Sequence, residues 1–198
     1  MKGFEINHQY SKSLEFEKDM RCYVDRFITS DIEYFSFLRP LNELQIARLF
    51  SGFPQYFDVF KSCNVGSKTN TWCGDCGKCL FTYLILSPFI PHDKLESIFG
   101  KNLFRDIDLW PVLRQLTGMT DSKPFDCIGT VDEVNVALQL ALAMIPENRV
   151  PPLLQLYKDS EFYSRYKNFN AGALLYSFDE NNFLPEEFAS ILRSKIHA

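Results

Sequence analysis

Cys63, Cys73, Cys76 and Cys79 fall in one short polar stretch in the pattern C-x9-C-x2-C-x2-C. From Ser62 to Cys79 the chain is rich in Cys, Gly, Asn, Ser and Thr and nearly free of apolar residues. Such a stretch reads as a loop that cannot order itself by burial. Four thiolates this close in sequence can converge on one tetrahedral ion at Zn–S distances of about 2.3 Å. Gly74 and Gly77 each follow a cysteine, where a backbone free of Cβ suits tight knuckle turns, and nine residues separate Cys63 from Cys73, enough to loop back. Metal binding would supply ordering free energy that the side chains of the loop lack. With cysteine at all four positions no site stays open for water, so the expected Zn2+ is structural. An iron–sulfur cluster is the alternative occupant. The metal-free reading is a set of free thiols or a redox C-x-x-C pair, although the βαβ setting of such a pair is missing. Lys61, Lys68 and Lys78 flank the cysteines and either offset the negative charge of the centre or solvate the loop, and Trp72 is expected to pack over it as a lid.

The surrounding chain excludes several classes. It has 198 residues, 46% of them apolar, enough for one domain of ordinary to large size or two small ones without disulfides. Twenty-one basic against 25 acidic side chains give a formal charge of -4, which argues against a surface devoted to nucleic acid. Met1 to Tyr10 lacks the apolar run of a secretory signal. The apolar stretches Leu80 to Ile90 and Val134 to Ile145 are interrupted by polar residues and far short of the ~20 residues that span a bilayer. A cytoplasmic protein without membrane insertion is expected. In that reducing setting cysteines serve as ligands, reactive thiols or small core residues.

Helical periodicity dominates. Leu14, Phe16, Met20, Val24, Phe27 and Ile28 mark an amphipathic helix over Ser13 to Ile28. Ile32 to Leu38, short, aromatic and closed by Pro40, reads as a strand. Asn42 can cap a helix that Gly52 ends, and Pro54 to Phe60 can add a helical turn. Further helices are expected over Leu80 to Leu86, His92 to Phe99 with Gly100 as the stop, and Asp106 to Leu116 with Gly118. Thr130 and Glu133 have capping-box spacing before the run Val134 to Ile145. Beyond Pro146, two or three short helices are expected, the last from Pro185 to Ile196.

Other residues carry chemistry on their own terms. Cys127 stands just before the cap at Thr130, where a helix N-terminus can lower a thiol pKa; a small core residue is the plainer account. His8 lies in the hydrogen-bonding run His-Gln-Tyr-Ser-Lys-Ser, suited to a ligand or an interface, or simply solvated. Arg39, ahead of Pro40, can meet a carboxylate or phosphate, or form an ordinary ion pair. Cys22 is expected to be packing, and His92 and His197 surface residues. Neither G-x-x-x-x-G-K-[ST], G-x-G-x-x-G nor G-x-S-x-G occurs, so the common phosphate loops and the hydrolase elbow are missing.

The segment Trp72-Cys73-Gly74-Asp75-Cys76-Gly77-Lys78-Cys79, with Ser62-Cys63 before it, resembles the zinc loop near the C-terminus of PP-loop (N-type) ATP pyrophosphatases related to 7-cyano-7-deazaguanine synthase. Where that pattern has an arginine soon after the last cysteine, Leu80, Phe81 and Thr82 stand here. A closer resemblance is to the C-terminal half of the ATP-dependent UDP-N-acetylmuramoyl-L-alanyl-L-glutamate epimerases. It rests on His8-Gln9-Tyr10-Ser11-Lys12-Ser13, Phe37 to Ala47, the cysteine loop, and Lys123-Pro124-Phe125-Asp126-Cys127-Ile128-Gly129-Thr130. The resemblance implies a mainly α fold with a small β component, the helical C-terminal part of a PP-loop-type α/β enzyme. In that scheme residues 1–60 end the α/β-type core, 61–80 form the four-cysteine zinc loop and 81–198 a helical C-terminal region. The S-G-G-x-D-S motif that binds ATP in such enzymes is not in this sequence, so the resemblance places ATP, with Mg2+, on an N-terminal part of the same enzyme.

The implied reaction inverts the terminal glutamate of the UDP-muramoyl dipeptide in peptidoglycan precursor synthesis. Adenylating a carboxylate, with release of diphosphate, removes the charge that opposes loss of its α-proton; a base and an acid then exchange that proton, and hydrolysis releases AMP. Within the resemblance, Cys127 and His8 are the expected proton-transfer residues and Lys12 and Arg39 the substrate-binding cations. Two other readings compete: a non-catalytic zinc-stabilised helical module that docks a partner protein, and a nucleotide-modifying enzyme of the 7-cyano-7-deazaguanine synthase type.

Overall fold

Leu80 to Leu86 is apolar on every side, and a helix of that kind is stable only where neighbours surround it. In the computed structural model, which describes residues 10–122 and 128–197, this stretch lies within helix α3, Gly77–Leu86, and every residue of α3 except Lys78 is buried. The other helices are α1 (Leu14–Phe27), α2 (Glu43–Ser51), α4 (His92–Phe99), α5 (Trp110–Thr117), α6 (Val131–Ala143), α7 (Pro152–Lys158), α8 (Glu161–Tyr166), α9 (Ala171–Leu175) and α10 (Glu186–Ile196). The mainly helical expectation holds. Among the described residues there is no strand, so the small β component is corrected. No helix among them is long and apolar enough to cross a membrane.

The chain divides into two compact units, 1–41 with 177–198, and 42–176. In the first, α1 buries Glu17 and Val24, seven residues apart on one stripe. Glu17 Oε1 accepts the Ser36 amide at 2.9 Å, Arg21 Nη1 donates to the Tyr34 carbonyl at 2.7 Å, and the rings of Phe35 and Phe37 lie against Phe188. These contacts explain why Ile32–Leu38 is not a strand: side chains of α1 take backbone groups that a neighbouring strand would have paired. Cys22 lies off the Glu17–Val24 stripe and is exposed, contrary to its reading as packing. Phe27 and Ile28, counted toward the apolar face, are also exposed. α10 buries Ala189, Leu192 and Ile196.

The second unit is built around α3, against which α2, α4, α5 and α6 pack. Asn42 caps α2 in a capping box with Gln45, and Thr130 caps α6 in one with Glu133, both at the expected ends. α5 starts at Trp110 rather than Asp106, because the Asp106 carboxylate accepts the Asp108 amide at 3.1 Å and holds residues 107–109 as a separate 3-10 turn. Fully buried Asn135 on α6 donates to the carbonyls of Thr117 at 3.0 Å and Val131 at 2.8 Å and accepts from the Tyr157 hydroxyl at 2.9 Å. That satisfied network fixes how α5 and α7 meet α6. After Pro146, four helices follow among the described residues, more than the two or three expected. His92, expected at the surface, begins α4 as predicted, yet its Nδ1 is buried and its ring meets Phe104 edge-on at 6.0 Å.

Candidate metal centre

Burial forces charged groups either to pair or to neutralise, and sulfur is no exception. One sulfur from each of Cys63, Cys73, Cys76 and Cys79 lies within 4.8 Å of every other, with Cys73 to Cys79 at 3.6 Å and Cys63 to Cys76 at 4.0 Å. Tetrahedral bonds of about 2.3 Å place sulfurs about 3.8 Å apart, so the cluster fits a single four-coordinate ion. Burial pushes the Cys79 and Cys76 thiols up. Cys63 is drawn down to about 7: burial opposes its charge, but amides of Cys73 and Gly66 donate to its sulfur and win. Four thiolates therefore cannot share this space without a cation, whereas with one they form a closed shell. The four cysteines can hold a metal ion.

The local chain makes that convergence possible. Gly66 donates to Cys63 Sγ at 3.2 Å, and Asp75 to Cys73 Sγ at 3.5 Å, the N–H to sulfur pattern of a knuckle. Gly74 has φ +76°, a left-handed conformation that side chains resist, and a Cβ there would stand 2.6 Å from Lys101 Cε. The nine-residue excursion closes on itself as Gly66 accepts from the amides of Thr69 and Thr71. Rather than remaining a loop to Cys79, the chain turns helical at Gly77, so Cys76 caps α3 and Cys79 sits in its first turn. Two sulfurs thus lie at the positive end of a helix dipole, which offsets part of the burial that raises their thiols. Trp72 packs between Phe60 at 5.4 Å and Phe99 at 4.5 Å, fastening the loop to the core.

Of the flanking lysines, Lys61 donates to the Asp58 carbonyl at 2.9 Å, Lys68 is exposed, and Lys78 edges a cavity of about 290 Å³ whose walls include Phe50, Phe60 and Phe81. The cation that braces the centre is one that motif reading passed over. Lys101 bridges Asp75 and Asp106 at 2.8 Å each, and the two carboxylates, Asp106 first, raise its pKa to about 12. Nothing in its spacing from the cysteines marks it; only the fold brings it beside Gly74.

A model of the MurL C-terminal domain matches residues 59–163, more than half of the chain and all four cysteines. The chain belongs to the MurL family. The MurL N-terminal domain model matches residues 1–37. The protein called UDP-N-acetyl-alpha-D-muramoyl-L-alanyl-L-glutamate epimerase in Micromonospora sp. (strain ATCC 39149 / NRRL 15099 / SCC 1413) is 41% identical over 162 residues, 80% of this chain and 36% of that protein. Its namesakes are 42% identical over 142 residues in Salinispora tropica (70% of this chain, 31% of that protein) and 41% over 140 residues in Xanthomonas oryzae pv. oryzae (68% and 31%). The chain spans about a third of the length of these curated relatives. No solved structure matches it.

Within this MurL-family chain the other expected site residues lie apart from the cysteine cluster in sequence. Lys12 and Arg39 belong to the first unit, where Arg39 pairs through Nε with buried Glu17 and donates through Nη2 to the Lys12 carbonyl at 2.9 Å. His8 and Cys127 lie outside the described residues. Gly129 and Thr130, which follow Cys127, are held by Glu133: its Oε2 accepts from the Thr130 amide at 2.6 Å, and a Cβ on Gly129 would stand 2.9 Å from it.

Proposed function

We propose that this chain supplies the C-terminal, zinc-binding part of an ATP-dependent epimerase that inverts the terminal L-Glu of UDP-MurNAc-L-Ala-L-Glu, forming AMP and diphosphate. The observation that carries this reading is identity above 40% to three relatives that bear the epimerase name, over most of this chain. The closed set of four cysteines supports Zn2+ in a structural role, since it leaves no ligand position for substrate or water. About two thirds of the relatives' length lies outside the matched region, and the reading puts the ATP- and Mg2+-binding PP-loop part of the α/β core there. Cys127 and His8 are the proposed proton-transfer residues, Lys12 a substrate-facing cation, and Arg39 a positioning residue, its guanidinium already engaged by Glu17. A cytoplasmic location suits a substrate that is a nucleotide-linked precursor.

The test uses the full-length enzyme with ATP, Mg2+ and UDP-MurNAc-L-Ala-L-Glu. Substrate-dependent diphosphate release and appearance of the D-Glu epimer are expected; diphosphate release only with 7-carboxy-7-deazaguanine, or with neither, overturns the reading. A Cys127→Ala arm is expected to lose epimerisation by about 10²-fold or more, and full activity removes Cys127 from the reaction.

A further inference from the structure

A second cleft of about 590 Å³, away from the cysteines in its lining, lies between the start of α4 with the turn at 102–105 and the chain that leaves α6. Its lining includes Arg105 and Arg149 together with Met144, Val150 and His92. Both arginines are exposed, and among the described residues neither guanidinium forms an ion pair. The lining of the cleft thus carries two arginines and no acidic side chain. A cleft lined by charge of one sign favours a ligand of the other. Guanidinium is the cation whose planar fork matches carboxylate and phosphate oxygens.

The cleft is also held in shape before anything binds. On one side, Asn102 Oδ1 accepts the Phe104 amide at 3.1 Å, and fully buried Phe104 packs edge-on against Tyr83 at 4.9 Å. The Lys101 bridge from Asp75 to Asp106 ties this same turn to the cysteine loop. On the other side, Pro146, Pro151 and Pro152 stiffen the strip that carries Arg149. Burial lowers the His92 pKa, so its ring enters the wall as neutral imidazole, and its buried Nδ1 has no partner among the described residues. Half-apolar and cationic in its lining, such a cleft fits a molecule with two acidic groups on a less polar frame.

We propose that Arg105 and Arg149 form a binding site for an organic dianion, a nucleoside diphosphate or a peptide ending in glutamate. The choice of these two rests on the reading above, because UDP-MurNAc-L-Ala-L-Glu carries both groups. The experiment is isothermal titration of the full chain, purified without chelator, with UDP and separately with N-acetylmuramoyl-L-Ala-L-Glu. One of the two is expected to bind saturably, and which one tells the nucleotide end from the peptide end. Arg105→Ala and Arg149→Ala are each expected to weaken that binding about tenfold, with Arg→Lys at both positions weakening it less and Lys195→Ala leaving it unchanged. Melting midpoints within about 2 °C of the parent confirm that the variants fold. No saturable binding of either probe below about 10 mM, or binding unaffected in both alanine variants, overturns the proposal. The outcomes separate the two readings. A full-length enzyme that epimerises normally with both arginines replaced sinks the cleft and spares the epimerase, while arginine-dependent binding by a protein without epimerase activity does the reverse.

Discussion

Glu133 does more than its sequence position announces. Thr130 and Glu133 have the spacing of a capping box, and the box forms. Its other oxygen, Oε1, accepts from the amides of Glu43 at 2.6 Å and Leu44 at 3.4 Å, at the start of α2, 90 and 89 positions away. One carboxylate, 3% exposed, therefore closes two helix N-termini at once and sits where both dipoles favour its charge. A helix cap contributes about 0.5–2 kcal/mol, and amides left buried without a partner add to the loss. Glu133→Ala is expected to destabilise the protein by about 2–4 kcal/mol and Glu133→Gln by less, since an amide keeps one acceptor oxygen. Urea unfolding of both variants checks this; an alanine variant within about 0.5 kcal/mol of the parent would show that the second cap contributes nothing. Cys22 and His92 teach the converse at the same scale. Residue type suggests one environment for each, and the turn of a helix decides another, Cys22 outward and His92 against Phe104.

Between elements, the informative contact is the Lys101 bridge joining the cysteine loop at Asp75 to the 3-10 turn at Asp106. Exposure of 41% at Lys101 and 72% at Asp75 lets solvent screen it, so its worth is about 0.5–1 kcal/mol rather than that of a buried pair. Lys101→Met is expected to lose about that much near neutral pH. The Lys101 ammonium holds the Asp106 carboxyl below the usual carboxylate range. A lowered folded pKa means that the stabilisation is complete above the unfolded value of about 3.9 and disappears as pH falls through the folded one. The difference between parent and variant should thus be flat from about pH 5 to 8 and vanish in stronger acid. Melting curves from about pH 2 to 8 test it, and a gap that persists below about pH 3 would assign the effect to packing of the lysine stem.

At the scale of the molecule, the second unit joins two kinds of stabilisation. Around α3, burial of Leu80, Tyr83, Leu84 and their neighbours supplies about 1.5–3 kcal/mol per large side chain. The loop at 63–76 has little of that; Trp72 is its principal anchor in the core. Stripping the metal should therefore loosen the loop and, through Cys79 in the first turn of α3, weaken the core it is continuous with. A chelator is expected to lower the calorimetric melting midpoint by about 10 °C or more and to release close to one equivalent of zinc. An unchanged midpoint, or protein purified with less than about half an equivalent of zinc, would count against the centre.

Much of this was legible in the residues. Period and punctuation marked α1, α2, α4 and α6 because caps and stops are local: Ser13, Asn42, Gly100 and Thr130 act on amides or carbonyls within a few positions. The cysteine spacing likewise announced a cluster that can hold a metal ion, since residues grouped in sequence need little from the rest of the chain to meet. What the tertiary structure alone decided depends on partners far apart in sequence. It turned Ile32–Leu38 from a strand into a segment held by α1, gave Glu133 a second helix, brought Lys101 beside Gly74, and set Arg105 and Arg149 across one cleft. A backbone amide accepts whichever oxygen the fold brings to it, and a charge keeps or loses its partner by position in space; neither is written in the local order of residues.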